Sequence, residues 1–435
     1  VPDRPQGRPR PAGGEAAPSA PVPAPPAAPA PLPASDGHSR SVAAPPSVGP
    51  GRVSQAAPDW RPWRFRMSND LWGSPTVRDG LLYVTSFEVH ALDVASGRRQ
   101  FKTREVAWTM AVSGGRVLAT DGTSLYALDS TDGADRWRQP TEGRIYALGA
   151  ERGTVLTAAR GGTVQAWEAA NGERLWDIGG MQAEFESPDT GPVIADGTVY
   201  TWGDEHLYAL QARTGDQLWR HRVGDPSVTG GVPVRVHPGT DGMVYAAAGS
   251  RVFALDAATG GERWRFDAPA AVLCPPVHAP AGLTGGAGGI FFTDYLGTVY
   301  ALDPHTGDDR WRLVTEPRQS PEPVVVADGL VHVGSGSALY TLDAASGTPR
   351  WRFGAGEAIV GSPVAADGRV HFGSEDFCLY TLDAASGRLT WKLKTGGAIT
   401  GSPVASGGMV FACSADRCVY ALDAALGTAR PADRN

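Results

Sequence analysis

One segment recurs nine times along the chain: an apolar run, an acidic residue, a small polar turn, a glycine and, four residues later, an aromatic ring. Its cleanest copy runs Ala254, Leu255, Asp256, Ala257, Ala258, Thr259, Gly260, Gly261, Glu262, Arg263, Trp264. The turn glycines fall at Gly97, Gly133, Gly172, Gly215, Gly260, Gly307, Gly347, Gly387 and Gly427, a period of 36–47 residues. Runs such as Val299-Tyr300-Ala301-Leu302 and Leu339-Tyr340-Thr341-Leu342 are apolar on both alternating faces, the pattern of a strand covered from both sides. The Asp after each run, and the Ser or Thr before the glycine, can accept hydrogen bonds from turn amides, while glycine supplies the positive φ that closes a short hairpin. Substitutions mostly keep this chemistry: Asp132 and Asn171 stand for the hydroxyl residue, Glu168 and Gln211 for the Asp.

Two further strand signals precede each hairpin, as in Gly361-Ser362-Pro363-Val364-Ala365, the turn pair Asp367-Gly368, and Val370-His371-Phe372-Gly373-Ser374. Asp-Gly and Gly-Gly pairs mark short turns. Each unit therefore predicts four short antiparallel strands: an inner Ser-Pro-Val strand, a Val-Tyr-Val strand, the Leu-Tyr-Ala-Leu strand and an outer strand carrying the aromatic. Four strands in about 40 residues make one propeller blade. The fold class is all-β, a closed β-propeller of eight or nine four-stranded blades. The last unit stops at Gly427, with Pro431 where its aromatic belongs, and Trp60-Arg61-Pro62-Trp63-Arg64-Phe65 stands alone before the first inner strand. The stretch around Trp63 is expected to supply the outer strand of the final blade, which removes the exposed edge of an open array.

Phe101, Trp137, Trp176, Trp219, Trp264, Trp311, Trp351 and Trp391 share the outer-strand position, and Trp63 completes the set. Repetition at one hairpin position assigns them to structure rather than to ligand stacking. Each ring is expected to wedge between neighbouring blades, near the small residue of the adjoining strand, such as Ala254 or Ala301.

Composition divides the chain. Residues 1–58 carry 16 of the 36 prolines and almost no aromatic or branched apolar residues, so they are expected to form an extended, disordered linker. All 13 tryptophans lie from Trp60 onward, and residues 59–428 are assigned to the propeller, with 429–435 as a second disordered tail. Net charge is −7 and the arginines are spread among acidic residues, which argues against a nucleic-acid partner. No stretch approaches the roughly 18–20 apolar residues of a membrane span, and the first residues carry no apolar leader. The start at Val1 reads as a fragment or a processed product. Arginine outnumbers lysine 36 to 3, the bias of a high-GC bacterial genome.

The segment 254–264 resembles the tryptophan-docking motif, Ala-x-Asp-x-x-Thr-Gly-x-Glu-x-Trp, of the PQQ-like β-propeller superfamily, and the similarity covers residues 60–427. That superfamily includes quinoprotein dehydrogenases, the BamB-type scaffold of outer-membrane assembly, and C-terminal sensor regions of AfsK-type bacterial serine/threonine protein kinases. Its members usually have eight blades. The dehydrogenases hold their quinone with calcium, an acidic catalytic residue and a disulfide between adjacent cysteines, none of which is recognisable here, so no PQQ or other cofactor is expected. BamB-type proteins are exported lipoproteins, and no lipidation cysteine is present. The kinase resemblance implies a Pro/Ala linker followed by a propeller, which is the order seen. No kinase motif occurs in the chain itself. The resemblance therefore implies a non-catalytic, monomeric sensor, cytoplasmic either free or membrane-associated, that binds a small ligand or a protein and is tethered to a kinase domain. A BamB-like exported scaffold is the alternative, and a quinone enzyme a weaker third.

Among individual residues, Cys413 and Cys418 flank the turn 414–417 and could face each other as a disulfide, although two reduced core thiols also fit. Cys378 and Cys418 share one repeat position, and Cys274 stands apart; no metal set is expected from them. His332 and His371 occupy the aromatic slot of the second strand in successive units, as replacements for a packing tyrosine or as a pH-sensing pair. The glycine-rich stretch 282–289 lacks the lysine of a phosphate loop and is expected to be a flexible elaboration on one face.

Overall fold

The computed structural model of the chain describes residues 62–181, 186, 190–224, 232–318 and 320–428. The linker expected at 1–58 and the tail expected at 429–435 lie outside the described residues. Within them, thirty-six strands form nine four-stranded antiparallel sheets. Blades 1–8 take their strands consecutively, over 72–102, 109–140, 145–178, 193–222, 235–267, 277–314, 325–354 and 364–394. Blade 9 is composite: Val404–Ser406, Met409–Ser414 and Cys418–Asp423 are completed by Trp63–Arg66. Trp63 lies opposite Ala421 and Arg66 opposite Cys418, and the N–H of Met67 donates to the Arg417 carbonyl at 2.8 Å. The ring is therefore closed, with nine blades.

The first strands of successive blades are neighbours around the axis; 404–406 touches 72–78 on one side and 364–366 on the other. The third strand of each blade is covered on both faces. In blade 5, Val252, Phe253, Ala254 and Leu255 are all buried. It ends in the acidic turn: the Thr259 N–H donates to Asp256 Oδ1 at 2.9 Å, and the Thr259 hydroxyl donates to the same oxygen at 2.9 Å. The inner strands are shorter than expected. Val364–Ala366 begins after the Ser-Pro pair because a proline nitrogen has no hydrogen to give to a ladder.

The aromatic wedges sit between blades. Each ring packs on the turn glycine of the next blade, where an added Cβ would lie 2.5–2.9 Å from ring carbons. The same glycines have φ of 67–75°, the left-handed region, so both sterics and backbone select glycine there. The indole N–H donates to the carbonyl that follows the acidic turn residue: Trp137 to Ala169 (2.9 Å), Trp176 to Ala212 (2.8 Å), Trp219 to Ala257 (2.8 Å), Trp264 to Pro304 (2.9 Å). Trp311, Trp351 and Trp391 donate likewise to Ala344, Ala384 and Ala424. Trp63 spans the seam, donating to Val94 at 2.9 Å and packing on Gly97 of blade 1. Phe101 has no N–H to give, and the hydroxyl of Tyr83 in its own blade reaches the equivalent Ser130 carbonyl at 2.8 Å. The small residue opposite each wedge is its in-blade partner, as Ala254 is to Trp264 and Ala301 to Trp311.

On its other side a wedge meets the aromatic of the second strand, as Tyr200 meets Trp219 and Tyr245 meets Trp264. In blades 7 and 8 that slot holds His332 and His371, packed at a tilt of about 40° against Trp351 and Trp391. Each histidine is at most 1% exposed and shares a 2.7 Å hydrogen bond through Nδ1 with a threonine, Thr341 or Thr381, that replaces the usual alanine. The imidazole and the hydroxyl are thus a matched pair in the core. Burial pushes the imidazole pKa of both down to about 4.

Two outcomes follow from this packing. Trp264→Ala should cost about 3–5 kcal/mol, and an unchanged denaturation midpoint would remove the wedge from the stabilising set. Both histidines are neutral when folded but titrate near 6.5 when unfolded, so their contribution is complete above about pH 6.5 and is lost as pH falls toward 4, by up to about 3 kcal/mol each. The double substitution His371→Phe with Thr381→Ala copies the Phe411 and Ala421 pair of blade 9. Guanidinium midpoints compared at about pH 7 and about pH 5 should show it less acid-sensitive than the parent; equal sensitivity would clear His371 of this role.

Candidate functional site

The segments leading into the inner strands gather at one mouth of the channel. There the Ser-Pro pairs form a belt. The N–H of Ser402 donates to Ser74 Oγ at 3.0 Å, and the N–H of Ser362 to Ser402 Oγ at 2.9 Å. The Ser362 hydroxyl donates to the Pro323 carbonyl at 3.0 Å, and that of Ser320 to the Val360 carbonyl at 2.7 Å. Proline after each serine leaves one fewer N–H to satisfy and fixes the backbone, so serine supplies the links from blade to blade. The belt joins blades 7, 8, 9 and 1.

Beside it, a cavity of about 190 Å³ opens where blades 4, 5, 6 and 7 converge. Its walls are proline and aromatic surface, including Pro192, Tyr200, Trp202 and Pro275. Arg235, 9% exposed, and Glu322 bring opposite charges to it. Glu322 also accepts from the Ser402 hydroxyl at 3.4 Å, which couples the cavity to the belt. A concavity that sets proline and aromatic surface beside a few placed polar groups has the ingredients of a small-ligand site. Among the described residues no three His, Cys, Asp or Glu side chains converge as a metal set would require.

The residues singled out in the sequence lie elsewhere. Cys413 and Cys418 are free thiols that do not meet: the hairpin pairs Cys413 with Val419 and Ser414 with Cys418. Neighbouring strand positions point to opposite faces, so the disulfide considered for this turn is excluded by a one-residue offset in register. Cys413 is buried, which pushes its thiol pKa up to about 12. Cys274 and Cys378 are buried and free as well. The glycine-rich stretch is anchored rather than loose. Ala281–Thr284 forms a single helical turn, the Gly329 N–H of blade 7 donates to the Leu283 carbonyl at 2.8 Å, and Arg310 donates to the Gly288 carbonyl at 2.6 Å. The charged cavity escaped the sequence because its walls come from four separate units; the prolines beside Glu322 were the one local sign of it.

A protein-family model described as outer membrane protein assembly factor BamB matches residues 86–227, 124–265, 203–283, 296–378 and 373–430. Two curated proteins named serine/threonine-protein kinase AfsK are each 57% identical to this chain, over 332 residues in Streptomyces coelicolor and 304 in Streptomyces griseus. Those matches cover 76% and 70% of this chain but 38% of each relative, so the chain spans well under half their length. Among solved structures, BamB from Moraxella catarrhalis superposes with a TM-score of 0.54 at 17% identity, over 72% of this chain and 95% of that one. A europium-containing methanol dehydrogenase gives 0.52 at 14% identity, over 80% and 83%. At such identities the likeness is one of fold.

Proposed function

We propose a sensory role for this chain, which belongs to the PQQ-like, BamB-type β-propeller family. It corresponds to the non-catalytic C-terminal propeller region of AfsK-type kinases, not to their catalytic domain. In this reading the propeller is tethered through its Pro/Ala-rich residues 1–58 to a serine/threonine kinase domain and adjusts that domain's activity when a small ligand or a protein occupies the channel mouth. The observation that carries it is the 57% identity to two kinases over most of the propeller; a likeness of fold alone would not select a function. The cavity beside Arg235 and Glu322 is the place for the ligand, since it sets proline and aromatic surface beside two opposite charges. A sensor working on an ATP-consuming domain beside it belongs in the cytoplasm. No helix among the described residues is long and apolar enough to cross a membrane.

The first test is the reading frame upstream of Val1, where an in-frame kinase catalytic domain is expected and a lipidated export signal would instead favour the assembly scaffold. In the kinase-containing protein, Glu322→Gln should change autophosphorylation by about fivefold or more, the usual scale of coupling between sites. Unchanged autophosphorylation, together with an unchanged response to removal of the propeller, would end the sensor reading.

A further inference from the structure

At several of the entries into the inner strands a side chain plugs the gap beside the preceding blade. Ile145, Val272, Ile359 and Ile399 fill this position, all at most 4% exposed. Their N–H groups donate to the carbonyls of Gly122, Gly249, Gly336 and Ser374, in the hairpin of the blade before. At the equivalent place between blades 6 and 7 the N–H of Arg318 donates to the Tyr295 carbonyl at 3.0 Å. Arg318 is 3% exposed. The residue facing it varies among the blades: Thr120 stands there before Ile145 and Ala247 before Val272. Blades 7 and 8 present Gly334 and Gly373 to the isoleucines, opposite Leu339 and Leu379 in register. Blade 6 has Thr293 there, opposite Val299.

The guanidinium is held by neutral acceptors. Nε donates to the Gly334 carbonyl (2.8 Å), Nη1 to Thr293 Oγ1 (2.8 Å) and Nη2 to the Glu322 carbonyl (2.6 Å). Those bonds use three of its five N–H donors. Among the described residues no carboxylate pairs with it; the nearby Glu316 is committed to Arg352. A buried cation without a counter-charge is costly, and the repeat offers an aliphatic plug at this position, so packing does not explain the arginine. Arg318 lines a cavity of about 470 Å³ with Ser320, Pro321, Ile359, Val360 and Glu375. Glu375 is exposed and forms no ion pair among the described residues.

We propose that this cavity between blades 7 and 8 binds a free amino acid or a like small zwitterion. The ligand carboxylate takes the spare N–H donors of Arg318, its apolar body lies on Pro321, Ile359 and Val360, and its ammonium group faces Glu375. Glu375 disfavours a dianion, which separates this site from one for phosphate. Binding stands on the geometry of Arg318; that a kinase responds to it rests on the sensor reading above.

The test uses the 435-residue chain and each standard amino acid, with inorganic phosphate and the des-amino carboxylate of the best amino acid as controls. Thermal unfolding should rise by several degrees at about a hundredfold excess over Kd for at least one amino acid, less for its des-amino analogue, and not for phosphate. The double substitution Arg318→Ile with Thr293→Gly restores the plug seen in blades 7 and 8. It should unfold no earlier than the parent and lose at least tenfold in affinity by calorimetry. Glu375→Gln, at an exposed position, should keep carboxylate binding while narrowing the preference for the amino acid over its analogue. The proposal is overturned if no amino acid binds, if phosphate binds as well as the best of them, or if the double variant unfolds well below the parent, which would make Arg318 a structural plug. Binding with no change in the activity of the kinase-containing protein would leave the site in place and overturn only its link to the kinase, since the sensor reading rests on the separate cavity beside Arg235 and Glu322.

Discussion

An indole can lie flat on a neighbouring hairpin only where that hairpin bears no side chain, and only if its single N–H finds an acceptor. Both conditions are met wherever a tryptophan wedge occurs. The turn glycine offers bare backbone, and the carbonyl that follows the strand-end residue accepts the indole hydrogen bond. Because each ring belongs to one blade and its seat to the next, the contact sets the spacing and tilt between sheets that share few backbone hydrogen bonds. The exception supports the rule: with Phe101 the same carbonyl is filled by Tyr83 from the other side of the ring. Leaving that carbonyl buried and unpaired would cost more than the bond contributes.

This constraint explains what could be read from the residues alone. Turn glycines, wedges and the composite last blade were legible because one steric requirement repeats nine times and leaves the same trace each time. The number of blades was not, since a family habit of eight competed with a direct count. Features decided by register or by contact between distant units were also hidden. Nothing in the spacing of Cys413 and Cys418 says which of them faces Val419. The histidines could be recognised as stand-ins for packing aromatics, but their threonine partners lie about ten positions along the chain in an otherwise unremarked slot. The Ser-Pro pairs before blades 7, 8 and 9 looked like strand and are instead rim, because the property of proline that matters there is the donor it lacks.

A repeating frame makes its own exceptions informative. Where all blades share a solution, a residue that abandons it is answering to something other than packing, and a compensating change opposite shows that the departure is accommodated. His371 with Thr381 is such a pair, and Arg318 is a second departure, bonded to a threonine of a kind that blade 2 also carries there as Thr120. The first stays apolar in effect, since the imidazole remains uncharged. The second keeps a full positive charge in the gap between two sheets. Arg235 and Glu322 add an opposed pair at the channel mouth. The chemistry is concentrated in blades 4 to 8, on the side where segments enter the inner strands, while blade 9 carries the seam.

The composite seam also imposes an order in time. Trp63–Arg66 leaves the ribosome before any other strand of the ring, and its partner Cys418–Asp423 is made last, roughly 350 residues later. At about 5–20 residues per second the first strand waits some 20–70 s for its mate. During that interval the eight complete sheets can form in sequence while the outer edge of the ninth does not yet exist. A chain cut short before Cys418–Asp423 would leave two unmatched sheet edges, so emergence of that one strand acts as the latch on the ring of blades.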